Sequence, residues 1–497
     1  MLKILYFNNK FPTHYSKKGG IFSLFFQKRV GIWVGRNYRK ATKTMKKSIL
    51  LTILTLFFIF CLSGCKANNK PDTKNPVTLS MWHVYGSQTT SPLNDIIDEF
   101  NKTVGKDNGI TINVVSVTSS SAIDDALSAS ANGEPGAADM PDLFIAYPRV
   151  AEIVGIDNLL SWNDYFSDNE LALFNKTFLE EGFFNDKLLM LPVAKSSEAL
   201  FINKTLFERF CSKTDITADD LKSFNGLFEV VRKYYDYTKG QNFLQINDYY
   251  NYAYIGMKSF GSDFIVDGKL QLDNDIFEKI WTPLAKTAIY GGICLDEGYA
   301  ASRWKTVEIL ANTGSTADVL YQPDEVIYSD NTTEPIESLT IPYPTFGNDS
   351  SYAIHRGGGL FSIKNEDERK NYAAYIFAKW LTAKDQNLKF VTSSGYMPVT
   401  DDALNELFDN TTIVENQSYK NLYDSLAVMN NEYTFYSLPL YSGASDTQLA
   451  FEKNVKAVLK AAHNRYIKES ANDNSAKLLD NIVANSIDEL KKLTSSK

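Results

Sequence analysis

Cysteine and histidine are scarce in this chain, four of each among 497 residues. No CxxC, no HExxH and no Cys/His set with zinc-ligand spacing occurs, so no metal centre is expected. The GxSxG, Walker and GxGxxG strings are missing too, and with them the local signatures of a serine hydrolase, a P-loop NTPase and a dinucleotide enzyme. Glycine (27) and proline (15) are too few for a collagen-like or low-complexity chain. Only one apolar run approaches bilayer-spanning length, which excludes a polytopic membrane protein. Acidic residues are absent from the first 64 positions, which hold 12 Lys and Arg; the remainder keeps 39 of the 51 bases against all 59 acids, a net of −20. A body so charged repels phosphates, and no basic cluster alternates with aromatics, so nucleic acid is excluded as a partner. The length implies more than one lobe.

Ser302-Arg303-Trp304-Lys305 matches SxxK and Ser329-Asp330-Asn331 matches SDN, two marks of penicillin-binding enzymes. The third, KTG, is missing, so no acyl-enzyme and no catalytic residue is assigned. A carboxylate pair for glycoside hydrolysis is not legible, because its separation of about 5–9 Å is a three-dimensional quantity. A surface glycoside hydrolase therefore stays open as a rival reading.

The basic segment reads as an address. Lys46-Lys47 precede the apolar run Ser48–Leu62, and Ser63-Gly64-Cys65 follow. A basic n-region, a short apolar stretch and small residues make a secretory signal peptide over 45–64. Leu62-Ser63-Gly64-Cys65 resembles the lipobox of bacterial lipoproteins, which implies cleavage before Cys65 and a lipid on it. Met45 suits a signal start, so residues 1–44 read as a start-site artefact or a long n-region. Residues 65–76, the lipidated cysteine and a polar stretch with two prolines, form a tether. Processing leaves Cys211 and Cys294; a disulfide between them is compatible with export, and spacing does not decide it.

From Val77 strands and helices alternate. A strand over Val77–Tyr85 leads to Ser91-Pro92, an N-cap and N1 proline, and then to Leu93, Ile96, Ile97 and Phe100 at helical spacing. Ile110–Val117 and Leu143–Ala146 are apolar strands, with a helix capped by Ser121 between them. This βαβαβ order predicts α/β architecture with mixed, mostly parallel sheets flanked by helices. Residues 187–206 read as two strands separated by Pro192 and a polar turn, and a strand pair is expected around Val319–Tyr321 and Leu339–Tyr343. Gly357–Gly359 form a turn feeding a strand. Ala373, Ile376, Phe377, Trp380 and Leu381 mark one helical face. Helices are expected from Pro398 to Lys497.

The opening VTLSMWHVYG, Pro141-Asp142-Leu143-Phe144, the segment Leu191–Phe207, Ile341-Pro342-Tyr343-Pro344, the triple glycine, YAAYIFAKWLT and Gly395–Val399 together resemble the family 1 extracellular solute-binding proteins, the sugar-binding lipoproteins of bacterial ABC importers. The resemblance implies a periplasmic-binding-protein-like, two-lobed Venus-flytrap with interdigitated lobes: 77–198 with about 344–388, and about 199–343 with 389–497. It further implies a monomer without cofactor, anchored to the outer face of the membrane, passing a carbohydrate to permease subunits. The cleft residues it implies are Trp82, His83, Tyr85, Tyr147, Ser196, Ser197, Glu198, Trp304, Gly314, Ser315, Tyr321, Gly357, Gly358, Gly359 and Tyr396. Aromatic rings match pyranose faces, and amides, hydroxyls and carboxylates match sugar hydroxyls. The Met-Trp-His opening also resembles binders of glycerol phosphates, and few tryptophans argue against long oligosaccharides.

Overall fold

A computed structural model of the chain describes residues 70–85, 91–116, 120–347, 350–439, 441, 443–471 and 475–495. The expected signal peptide, Cys65 and most of the expected tether lie outside them. From Lys70 the chain is one unit.

Strand β1 (Val77–His83) runs into helix α1 (Pro92–Lys102), which begins as its sequence demands. Ser91 Oγ accepts the Asn94 N–H at 3.3 Å, Pro92 fills the first turn, and Leu93, Ile96, Ile97 and Phe100 are buried. Each such side chain contributes roughly 1.5–3 kcal/mol by leaving water. Then follow β2 (Ile110–Ser116), α2 (Ser120–Ala131), β3 (Leu143–Ala146), β4 (Leu191–Pro192), β5 (Glu198–Asn203), β6 (Leu244–Ile246) and α3 (Tyr249–Ser259). Beyond these lie β7 (Ala311–Ser315), β8 (Ser338–Pro342), β9 (Ser351–His355), β10 (Gly359–Ser362), α4 (Glu368–Leu381) and β11 (Tyr433–Ser437).

Two sheets result. The first has order β2-β1-β3-β10-β4, with β2, β1 and β3 parallel and the last two strands antiparallel to their neighbours. The second has order β8-β5-β7-β6; β7 and β6 run parallel, and β5 is antiparallel to both β8 and β7. Asp142 locks the first sheet by accepting the Ser80 N–H at 2.9 Å and hydroxyl at 3.1 Å, with the Lys370 ammonium at 2.9 Å. On α4, Ala373, Phe377 and Leu381 are buried, and Trp380 packs on Phe100 with centroids 5.2 Å apart.

The structure departs from the sequence reading in three places. Pro192 lies within β4, not between strands; β4 is an edge strand, where a missing N–H costs no ladder bond. Val319–Tyr321 belongs to a 3-10 turn, Thr316–Tyr321, and the strand is Ala311–Ser315. Its small polar residues carry no strand pattern of their own, and pairing on both sides makes them one. The helical expectation after Pro398 fails at Tyr433–Ser437, which pairs parallel with β9. Aromatic residues in so short a run become a strand once a distant partner supplies the hydrogen bonds.

Candidate functional site

The topology brings strand ends together. Glu198 opens β5 opposite Ser315 at the end of β7, and β6, parallel to β7, ends just before Asn247 and Asp248. The chain passes from the first sheet to the second through 193–197 and returns through Arg356. These crossings touch: Ser196 and Arg356 exchange backbone hydrogen bonds at 2.9 and 2.7 Å, and Lys195 and Met397 pair likewise on the other side. Three chain segments thus lie side by side where the sheets meet.

Arg356 is the centre of this junction. Its guanidinium hydrogen-bonds Glu198, which is 1% exposed, and lies 3.6 Å from Asp248. Asn251 Nδ2 donates to Glu198 Oε1 at 2.7 Å, and Asp248 caps α3 by accepting the Asn251 N–H at 2.8 Å. Burial pushes Glu198 up to about 7, against the pull of Arg356 and with the push of Asp248. Asp318 lies beside the network, half-buried, with the Asn247 amide donating to it at 3.1 Å; burial raises it to about 6 against Arg356 and Asn247.

Four of the expected aromatics gather here. Tyr85 meets Tyr396 edge-on with centroids 5.4 Å apart and meets Phe390 the same way. Burial raises the Tyr85 and Tyr396 phenols above their ordinary range, and nearby Tyr147 and Tyr321 raise both further. Tyr321 is half exposed, and Tyr147 carries the Arg149 guanidinium 5.2 Å from its ring centroid.

His83 positions this group. Its Nδ1 accepts the Tyr85 N–H at 3.1 Å, which places the proton on Nε2, 2.9 Å from Asn94 Oδ1. Burial brings the imidazole down to about 4 from 6.5, against the raising effect of Asn94. A lowered histidine charges more readily in the unfolded chain. Its contribution is therefore complete above pH 6.5 and is lost as pH falls toward 4, by about 3 kcal/mol at most. His83→Gln, which does not titrate, is expected to show a shallower fall of the thermal midpoint than the parent between those pH values. Parallel curves would remove the assignment.

The remaining expected site residues have other surroundings. Trp82 is buried with Ile123, Leu127 and Phe144, and Trp304 is 1% exposed in the main core. Ser196 and Ser197 act through their backbones, Ser197 accepting the Thr316 N–H at 2.9 Å. Ser315 Oγ accepts the Ala317 N–H at 3.3 Å. The glycines permit close packing: a Cβ on Gly358 would stand 2.4 Å from Ala146 O, and one on Gly359 2.6 Å from Leu191 O. Gly357 has φ +111°, a conformation suited to glycine. Gly314 makes room for acid, since a Cβ there would lie 2.2 Å from Asp318 Oδ2 and 2.7 Å from Asn247 Nδ2. Cys211 and Cys294 are free thiols.

Sequence reasoning missed Arg356, Asn247, Asp248, Asn251 and Asp318. Arg356 directly precedes the triple glycine, a visible signal; the others had none beyond the cap position of Asp248.

Two mixed sheets whose strand ends face a shared set of crossing segments, with polar and aromatic side chains gathered there, define a two-lobed ligand-capturing protein of periplasmic-binding-protein type. The chain belongs to the bacterial extracellular solute-binding protein family, whose model matches residues 95–417. No curated protein matches it. Among solved structures, the cyclic alpha-maltosyl-1,6-maltose binding protein from Arthrobacter globiformis is 17% identical, with TM-score 0.59 over 85% of this chain and 100% of that one. An ABC substrate-binding protein from Listeria monocytogenes in complex with cycloalternan is 14% identical, with TM-score 0.61 over 85% and 100%. UgpB from Mycobacterium tuberculosis in complex with glycerophosphocholine is 13% identical, with TM-score 0.60 over 84% and 98%. At these identities the likeness is one of fold.

Proposed function

We propose that this chain is the substrate-binding lipoprotein of an ABC importer, capturing a mono- or oligosaccharide between its lobes and delivering it to a membrane permease. The lobes on this reading are 77–198 with about 344–388, and about 199–343 with 389–497. The observation that carries it is the convergence of Tyr85, Tyr147, Tyr321 and Tyr396 on the Arg356–Glu198–Asp248 network and Asp318 at the crossing segments. Aromatic rings and hydrogen-bonding groups gathered near the crossing segments suit a pyranose. Binding rather than catalysis is favoured because Glu198 is sequestered by Arg356 and Asn251. A polyol phosphate is less well served, since both nearby guanidiniums are taken, Arg356 by Glu198 and Arg149 by Asp124 at 2.7 Å. A ligand drives closure only by its differential affinity for the closed state.

The test is a thermal-shift screen of the purified protein against mono- and oligosaccharides and glycerol phosphate. At 100-fold excess over Kd a ligand adds about 2.7 kcal/mol of apparent stability. A rise with one saccharide supports the reading; no rise with any compound overturns it. The lipid anchor rests on the Leu62–Cys65 motif alone. Cys65→Ser is expected to release the protein from the membrane fraction, and persistent attachment would contradict the anchor.

A further inference from the structure

The junction holds more acid than base. Arg356 is shared by Glu198 and Asp248, so its charge is spent within the protein. Among the described residues Asp318 has a single hydrogen-bond partner, the Asn247 amide, and it is the least buried of the three carboxylates. The other cations nearby are also committed: Arg149 to Asp124, and Lys195 to Glu181 at 2.5 Å. Among the described residues two buried atoms at this junction have no hydrogen-bond partner, Ser197 Oγ and Asn251 Oδ1, and the amide oxygen can only accept. Tyr321 lies near enough to Asp318, and Tyr147 to Arg356, for their charges to interact. Gly314 keeps open the space in which the Asp318–Asn247 pair sits. Among the described residues no cluster of His, Cys, Asp and Glu is placed to hold a metal ion.

We propose that the captured solute is cationic, an amino sugar or an oligosaccharide containing one, whose ammonium is received by Asp318 among the tyrosines. This rests on the solute-binding reading above and narrows its ligand class. Closing the lobes over a neutral sugar would desolvate the Asp318 carboxylate with one amide and a guanidinium already shared by two other carboxylates to compensate it. An ammonium supplies the missing charge, offers three donors, and is attracted by aromatic faces. An anionic ligand would add a further negative charge to a site that already has an excess.

Calorimetry with matched pairs tests this: glucosamine against glucose, galactosamine against galactose, and the β-1,4 glucosamine disaccharide against cellobiose and the N-acetylated disaccharide. The amine is expected to bind about tenfold or more tighter than its neutral counterpart in at least one pair. Asp318→Asn is expected to shrink that ratio to about threefold or less, and added salt to weaken the amine selectively. Neutral sugars binding as well as or better than every amine would overturn the cationic assignment while leaving the solute-binding reading intact. So would binding of a neutral sugar outside the pairs with no amine bound. Silence from every carbohydrate removes the solute-binding reading itself, so the two failures are distinguishable.

Discussion

Arg356→Ala is expected to destabilise the protein by about 3–5 kcal/mol at pH 8 and to lower ligand affinity by about 100-fold. The cost follows from what the guanidinium leaves behind. Glu198 is 1% exposed, Asp248 lies close by, and Arg356 supplies the charge that holds both. Removing it strands two carboxylates next to each other with one amide between them. Glu198 already sits at about 7, so without Arg356 it takes a proton still more readily. The loss should accordingly be smaller at pH 5, where that proton is available, than at pH 8. Urea denaturation at the two pH values measures this. An equal loss at both would show that packing, not charge, is what Arg356 contributes. Arg356→Lys keeps the charge but not the two-pronged geometry, and should fall between alanine and the parent.

Lys195→Met is expected to cost a further large amount, about 3–5 kcal/mol. The Lys195 side chain is wholly buried, with Nζ 2.5 Å from Glu181 Oε2 and 3.3 Å from Gly357 O. Glu181 also accepts the Ser437 hydroxyl at 2.6 Å, and the Lys195 backbone pairs with Met397. One side chain therefore ties the outgoing crossing, the glycine turn and β11 together, while its backbone holds the third crossing. Methionine fills much the same volume but abandons the Glu181 carboxylate in a nearly dry site. Adding Glu181→Gln should restore part of the stability, because a neutral amide tolerates burial better than an unpaired charge. A single variant losing less than about 1 kcal/mol in urea denaturation would rule out this role for the pair.

Much of the framework is legible locally. Ser91-Pro92 and the Leu93–Phe100 spacing prescribe α1, because capping and helical periodicity act within a few residues. Tyr85, Tyr147, Tyr321 and Tyr396 read as loop aromatics beside strand ends, and the structure gathers these four near the crossing segments. Trp82 was misplaced by the same logic: it lies one residue before His83, and alternation along β1 turns its ring to the opposite core. Trp304 went to the core because its six-residue helix packs inward.

The sequence by itself determined the basic segment that precedes Cys65, the acidic body, the βαβαβ opening, and the membership signalled by its motifs. Each depends on composition or on neighbours within about one turn of chain. The tertiary structure alone decided that Arg356 meets Glu198 from 158 residues away, that Asp248 and Asp318 join them, and that Tyr433–Ser437 becomes a strand. Charges so far apart leave no periodicity to read. Only the alignment of two sheets at their strand ends places them in contact, and burial there gives their charges the weight they carry.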